Sequence, residues 1–266
     1  RGRLPSVVAK TTESGGGGGR LTPPPHSLYR LCGGFVNLEG MMNSHIALRP
    51  RLAAAARLAA GTRILADVGC DHGLLSIYML THGGAERAVA SDLRPGPLEA
   101  ARRNAAGLGL GDRIRFELCD GLEYPGADEA DMVVIAGMGG ETICGILARA
   151  PWTREGARLV LQPQSKIDEL CRWLNCSGYA LQSALLAREG ERLYLALCAR
   201  GGSGGFDSAE EALLESADPL LAEWLDLKIA KARKALDGME SAASVRDTAA
   251  LRGELEKLNE MRRILP

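Results

Sequence analysis

Polar side chains recur in this 266-residue chain where apolar runs end. The first such place is ILADVGCDHGLL, from Ile64 to Leu75. Asp67 closes an apolar run, Gly69 and Gly73 follow, and an apolar helix-like pattern begins at once. A strand, a tight turn and a helix in that order set backbone N–H groups and a helix N-terminus beside a bound ligand. The glycines let the backbone come close to it. A plain dinucleotide loop would read G-x-G-x-x-G. Here Asp71 and His72 stand where small residues are usual, with Cys70 beside them. His72 is a candidate general base or base-stacking group. Asp71 is a candidate for orienting a ligand or balancing positive charge. The competing reading is a tight turn capped by an acid, with a histidine bonded to nearby backbone.

Asp92 ends the next apolar run, AVASD, with Leu93 after it. An acid at that point can take both hydroxyls of a ribose. Asp120 ends the third run, in ELCDGL, where it can accept from an adenine amino group while Gly121 allows a sharp turn. Three acids at the ends of successive strands face one crevice by the switch-point rule. The fourth run leads into IAGMGGET, Ile135 to Thr142, where Gly137, Met138 and Gly139 offer backbone and no side-chain base. Gln162 and Gln164 flank Pro163 after the fifth run and offer polar contacts from the opposite wall. Arg49 and Arg51, on the first helix, are candidate substrate contacts. His45 and His82 lack partner spacing, so no metal site is expected.

The elements that must position these groups follow from periodicity. Apolar runs at 63–68, 87–91, 114–118, 132–136 and 158–161 alternate with helix-like segments near 73–81, 96–107, 140–148 and 165–175. Strand–helix units in series mean a parallel sheet covered on both faces. Tyr179–Leu186 and Glu191–Ala199 read as a hairpin that adds an antiparallel edge. The expected fold is α/β: a Rossmann-like domain with a mostly parallel seven-stranded sheet and a terminal antiparallel hairpin. The stretch GGSGGF at 201–206 reads as a flexible joint. Beyond it, Asp218 and Pro219 suit a helix start, and leucines at helical spacing predict an antiparallel coiled-coil hairpin.

Composition narrows the options. Apolar residues make up 46% and aromatic ones 4%, enough for an aliphatic core. A net charge of −1 gives no global field for nucleic acid, although local patches can do that work. From residue 206 onward nine Lys/Arg stand against thirteen Asp/Glu, so the helical segment is no general polyanion clamp. Seven scattered cysteines read as reduced thiols, and hence a cytoplasmic protein. Residues 1–40 carry a five-glycine run and three successive prolines. They are expected to be a disordered extension, with the natural start at Met41 or Met42. The domain plan is 1–40, then a ligand-binding domain at 41–205, then the helical hairpin at 206–266.

In this order and spacing, DVGCDHGLL, ASDLRPGPL, LCDGL, ADMVVIAGMGGETI and LVLQPQ resemble the TrmK family of bacterial tRNA adenine-N1 methyltransferases. The resemblance covers about residues 43–200 closely, and the helical hairpin fits it. Family members usually have Thr at the place of Cys70, Pro at that of Ser76 and often Asn at that of Gln164. The resemblance implies a class I methyltransferase that uses S-adenosyl-L-methionine (SAM) to methylate N1 of adenine 22 in the D-arm of tRNA. It assigns Asp67, Gly69, Cys70, Gly73, Asp92, Leu93, Asp120, Gly121, Gly137, Met138 and Gly139 to the cofactor. Asp71 and His72 become the catalytic candidates, and Arg49, Arg51, Gln162 and Gln164 the substrate contacts. A monomer is expected, since a hairpin that pairs with itself leaves little demand for a partner. The alternatives are a SAM enzyme for another RNA or a small molecule, a nicotinamide oxidoreductase, and a non-enzymatic adaptor.

Overall fold

A computed structural model describes residues 28–31, 34–37, 46–240 and 248–265. Met41, Met42 and most of the expected N-terminal extension lie outside the described residues, as does most of the break between the last two helices. Within residues 1–40, β1 (Leu28–Leu31) and β2 (Gly34–Asn37) pair antiparallel.

The main sheet is built as the alternating pattern predicts. Helix α1 (Pro50–Ala59) precedes β3 (Thr62–Val68), α2 (Leu74–Thr81), β4 (Ala85–Asp92) and α3 (Pro95–Gly107). Then come β5 (Ile114–Leu118), β6 (Met132–Met138), α4 (Gly140–Arg149), β7 (Arg158–Pro163) and α5 (Ile167–Cys176). The hairpin β8 (Tyr179–Glu189) and β9 (Arg192–Gly201) closes the sheet. Spatial order is β5-β4-β3-β6-β7-β9-β8. The first five of these strands run parallel, and β9 and β8 join antiparallel. The order reverses between β3 and β6, and this is the switch point where ligands bind in open α/β sheets.

Each face of the sheet has its own apolar cluster. On one side α1, α2 and α3 pack Ala55, Leu58, Ile77, Met79 and Leu98 against Leu65, Ala90 and Val134. On the other side Ile143, Leu147, Leu170 and Leu174 cover Val68, Ile135, Leu159 and Leu161. Apart from Tyr124, Tyr179 and Trp224, the buried residues of these clusters are aliphatic or sulfur-bearing.

The C-terminal helices share that second cluster. Helix α6 (Ala209–Glu215) is an element the sequence reading missed, because AEEALLE merges with the helical pattern after it. Its Ala212 and Leu213 are buried, as are Leu221, Trp224, Leu225 and Ile229 of α7 (Leu221–Glu240). Lys228 bridges Glu210 at 2.9 Å and Asp168 at 2.7 Å, and the Trp224 indole donates to Glu210 at 2.9 Å. Asp218 accepts from the Leu186 backbone N–H on β8 and from that of Leu220. The helical arm is therefore rooted in the core. Its glycine segment is packed, where composition reads as a loose joint. Phe206 bridges to Leu181, and a Cβ at Gly205 would collide with the Leu181 backbone. Close approach, and not chain freedom, is what glycine supplies there.

Helix α8 (Ala249–Arg263) returns along α7. Arg262 meets Asp226, Arg233 meets Asn259, and Arg252 meets Glu240, so the two helices run in opposite directions. Leu258 is buried between them and the core.

Candidate active site

A cavity of about 850 Å³ opens at the C-terminal edge of the sheet, over the switch point. That size is within the range of small-molecule pockets. Asp67, Asp92 and Asp120 all line it, so the three strand-end acids share one crevice.

The turn after β3 is fixed from three directions. Gly69 and Cys70 both donate their N–H to the Ser91 carbonyl, at 2.8 and 2.9 Å. The Asp71 N–H donates to Asp92 Oδ2 at 3.3 Å. Asn104, on α3, donates from its amide to the His72 carbonyl at 3.0 Å. Gly69, Asp71 and Gly73 all have positive φ, of 69°, 52° and 72°. For Asp71 that is a conformation few non-glycine residues take, and such backbone concentrates at functional sites. Its carboxylate and the His72 imidazole are both exposed and line the cavity, 3.8 Å apart at their nearest ring and carboxylate atoms.

The acids differ in environment. Asp67 is buried, and its Oδ2 accepts from both the backbone and the hydroxyl of Ser76. Burial pushes its carboxyl up to about 6, against the pull of the Ser76 hydrogen bonds. Asp92 is buried as well. Its Oδ1 accepts from the Arg94 N–H at 2.9 Å, and each of its oxygens keeps an acceptor site for a ribose hydroxyl. Asp120 is half-exposed, and Arg149 of α4 holds its Oδ2 at 2.9 Å. Burial raises the Cys70 thiol above the usual range, so it is a neutral wall group.

The loop after β6 supplies backbone, as the sequence implies. The Gly137 N–H donates to Gln162 Oε1 at 3.2 Å, and the Gln164 N–H donates to the Met138 carbonyl at 2.8 Å. Gln162 is buried, and its amide also donates to the Pro163 carbonyl. Its side chain is thus engaged in holding the glycine loop, although it lines the cavity. Gln164 lines the cavity too. Arg51 reaches Glu189 at 2.6 Å and lies over the Tyr194 ring, while Arg49 is exposed; both are at the cavity wall.

Among the sequence-expected residues, Gly73 and Gly139 do not line the cavity. Gly73 caps α2, where a Cβ would press on Ala101 of α3. Gly139 caps α4. Sequence reading missed Ser76, Ser91, Asn104 and Arg149, whose partners lie nine to thirty-two positions away. Ser76 in α2 and Asn104 in α3, small polar residues inside helices, carried a local signal; Ser91 and Arg149 carried none. Leu74, Arg94, Thr142 and Ile146 are further wall residues.

The acceptors around the cavity suit SAM. Acids stand where an ammonium, ribose hydroxyls and an adenine amino group need acceptors, and exposed Leu74 and Leu93 offer apolar surface at the wall. Comparison with known proteins agrees. Residues 48–197 match the family model described as a methyltransferase domain. The tRNA (adenine(22)-N(1))-methyltransferase of Bacillus subtilis is 32% identical over 183 residues, 68% of this chain and 76% of that protein. The crystal structure of the B. subtilis m1A22 tRNA methyltransferase TrmK superposes with a TM-score of 0.67 at 27% identity, covering 82% of this chain and 97% of that one. A candidate tRNA (m1A22) methyltransferase from Streptococcus pneumoniae, solved in complex with SAM, gives 0.69 at 26% identity, covering 81% and 100%.

Fold and site together define a Rossmann-like, class I methyltransferase. Within that class the chain belongs to the family of bacterial tRNA (adenine(22)-N(1))-methyltransferases.

Proposed function

We propose that this chain is an enzyme that uses SAM to methylate N1 of adenine 22 in the D-arm of tRNA. The observation that carries the reading is the pairing of three strand-end acids with a base-free glycine loop around one cavity. Asp67, Asp92 and Asp120 would hold the ammonium, ribose and adenine portions of the cofactor, with Gly69, Cys70, Gly121, Gly137, Met138 and Leu93 shaping its bed. When bound, SAM supplies a methyl group on a sulfonium centre.

The residues present match a nucleophile that needs no deprotonation. Adenine N1 has an in-plane lone pair, so the chain has to position it and exclude water, work worth effective molarities of ~10⁵–10⁸ M. N1 methylation leaves the base cationic. Asp71, exposed at the wall, is the first candidate to balance that charge. Asp67 is the second, because it is buried and already bonded to Ser76. His72 stacks on the base or shapes the turn. The target adenine must leave its stack, at a cost of a few kcal/mol. Arg49, Arg51 and Gln164 line the side from which RNA approaches, and the basic residues of the arm contact the tRNA body by shape and phosphate. The enzyme works as a monomer in the cytoplasm, where its substrate is.

Calorimetry with SAM and with NAD tests the cofactor assignment. Binding of SAM and not of NAD is expected; the reverse would overturn the reading.

A further inference from the structure

Asp67 at the cavity wall is paired with a buried serine behind it, a pairing that the glycine loops do not require. Asp67 is the second-last residue of β3 and pairs in register with Ala90 of β4 and Val134 of β6, so its neighbours on both adjacent strands are apolar. Its Oδ2 accepts twice from one residue: from the Ser76 N–H at 3.2 Å and the Ser76 hydroxyl at 2.7 Å. Ser76 is fully buried in the first turn of α2, so its hydroxyl has no solvent to turn to. Oδ1 makes no hydrogen bond among the described residues, and Asp67 lines the cavity. One oxygen of the carboxylate is thus tied to a helix, and the other is left for a ligand.

We propose that Ser76 is a positioning residue: by holding Oδ2 against α2, its hydroxyl turns Asp67 Oδ1 to the ammonium group of the cofactor. This rests on the reading that Asp67 meets that ammonium.

The electrostatics give the idea a distinctive signature. The titratable groups that act on Asp67 are Asp92 at the end of β4 and Cys70 in the turn; α2 presents the Ser76 hydroxyl, and β6 carries no titratable residue. Arg94 approaches Asp92 and not Asp67. Burial first, and then Asp92, push the Asp67 carboxyl up to about 6, while the Ser76 hydrogen bonds pull it down. A cationic ligand needs the ionised form. From this value to about pH 7, below the range where an α-ammonium deprotonates, affinity should be flat; on the acid side ligand binding must expel a proton to solvent, and affinity should fall up to about tenfold per pH unit. Removing the Ser76 hydroxyl removes a bond that favours ionisation. The midpoint should then move upward by roughly half to one unit.

The test is calorimetry of SAM binding to the full chain between about pH 5 and 8. The wild type should lose affinity on the acid side of about 6. Ser76→Ala should bind more weakly at neutral pH, with its midpoint displaced upward. Ser76→Thr, which keeps the hydroxyl, should restore the wild-type midpoint and also controls for folding. Asp67→Asn should bind weakly with no such titration. If Ser76→Ala weakens binding equally at every pH with the midpoint unmoved, the serine only packs and the proposal fails. If Asp67→Asn binds as tightly as wild type and keeps its pH profile, the ammonium assignment fails and takes the proposal with it.

Discussion

The Ser91 hydroxyl donates to the carbonyl oxygen of Gly121 at 2.9 Å, while the Ser91 carbonyl accepts from Gly69 and Cys70. One buried serine at the end of β4 thereby ties the turn after β3 to the turn after β5. Acids from three strands keep a common spacing because their loops are joined and not merely adjacent. Ser91→Ala should leave the buried Gly121 carbonyl with only the weak Cys119 thiol donor at 3.7 Å, at a cost of about 1 kcal/mol. Thermal unfolding should show that loss, and SAM affinity should fall with it. An unchanged melting temperature together with unchanged affinity would mean that Ser91 does not hold the loops together.

Asp71 offers a cleaner separation of binding from turnover. Asn tolerates the positive φ of this position, so Asp71→Asn removes the charge without straining the turn. Turnover should fall by at least about tenfold, equivalent to roughly 1.4 kcal/mol in the barrier, with SAM affinity nearly intact. Single-turnover kinetics beside calorimetry would check both halves. Wild-type turnover in the variant would end the charge-balancing role.

Gly140 tests the base-free loop. A Cβ there would lie 2.5 Å from the Lys166 carbonyl oxygen, and backbone cannot swing aside as a side-chain tip can. Gly140→Ala should destabilise the fold by about 1–3 kcal/mol through overpacking. It should also loosen the hydrogen bond from the Gly140 N–H to the Ser165 carbonyl, now 2.9 Å. Denaturant titration measures the first effect. A fully stable variant would mean that the two loops separate more easily than their packing implies.

Sequence periodicity placed the strands of the main sheet to within a few residues, because the alternation of buried runs and amphipathic helices is a local property. The acids at strand ends were legible for the same reason. Long-range partners were not. Nothing near Arg51 announces Glu189, 138 positions away, and nothing near Asp120 announces Arg149. Composition misled at 201–206, where glycines that read as freedom serve close packing. It also hid α6, and with it the fact that the arm is rooted in the core.

That rooting decides how the arm must be tested. Deleting residues 206–266 would uncover buried Leu213, Leu221 and Leu225 and would report on folding as much as on RNA. Charge reversal at exposed Lys231 and Lys234 avoids this. The double Lys→Glu variant should weaken tRNA binding across tRNA species, with SAM affinity unchanged. Its salt slope should fall by about one for each phosphate that is no longer neutralised. Equal tRNA affinity at low and high salt would place the RNA elsewhere.

The central claim is the reaction itself, and the product identifies it. The chain should be incubated with SAM and unmodified bulk tRNA, and the digested nucleosides mapped by mass spectrometry. The expected product is 1-methyladenosine, located at position 22 of the D-arm. A methyl group on another base or another atom, or no methylated nucleoside from an enzyme that binds SAM, would contradict the claim.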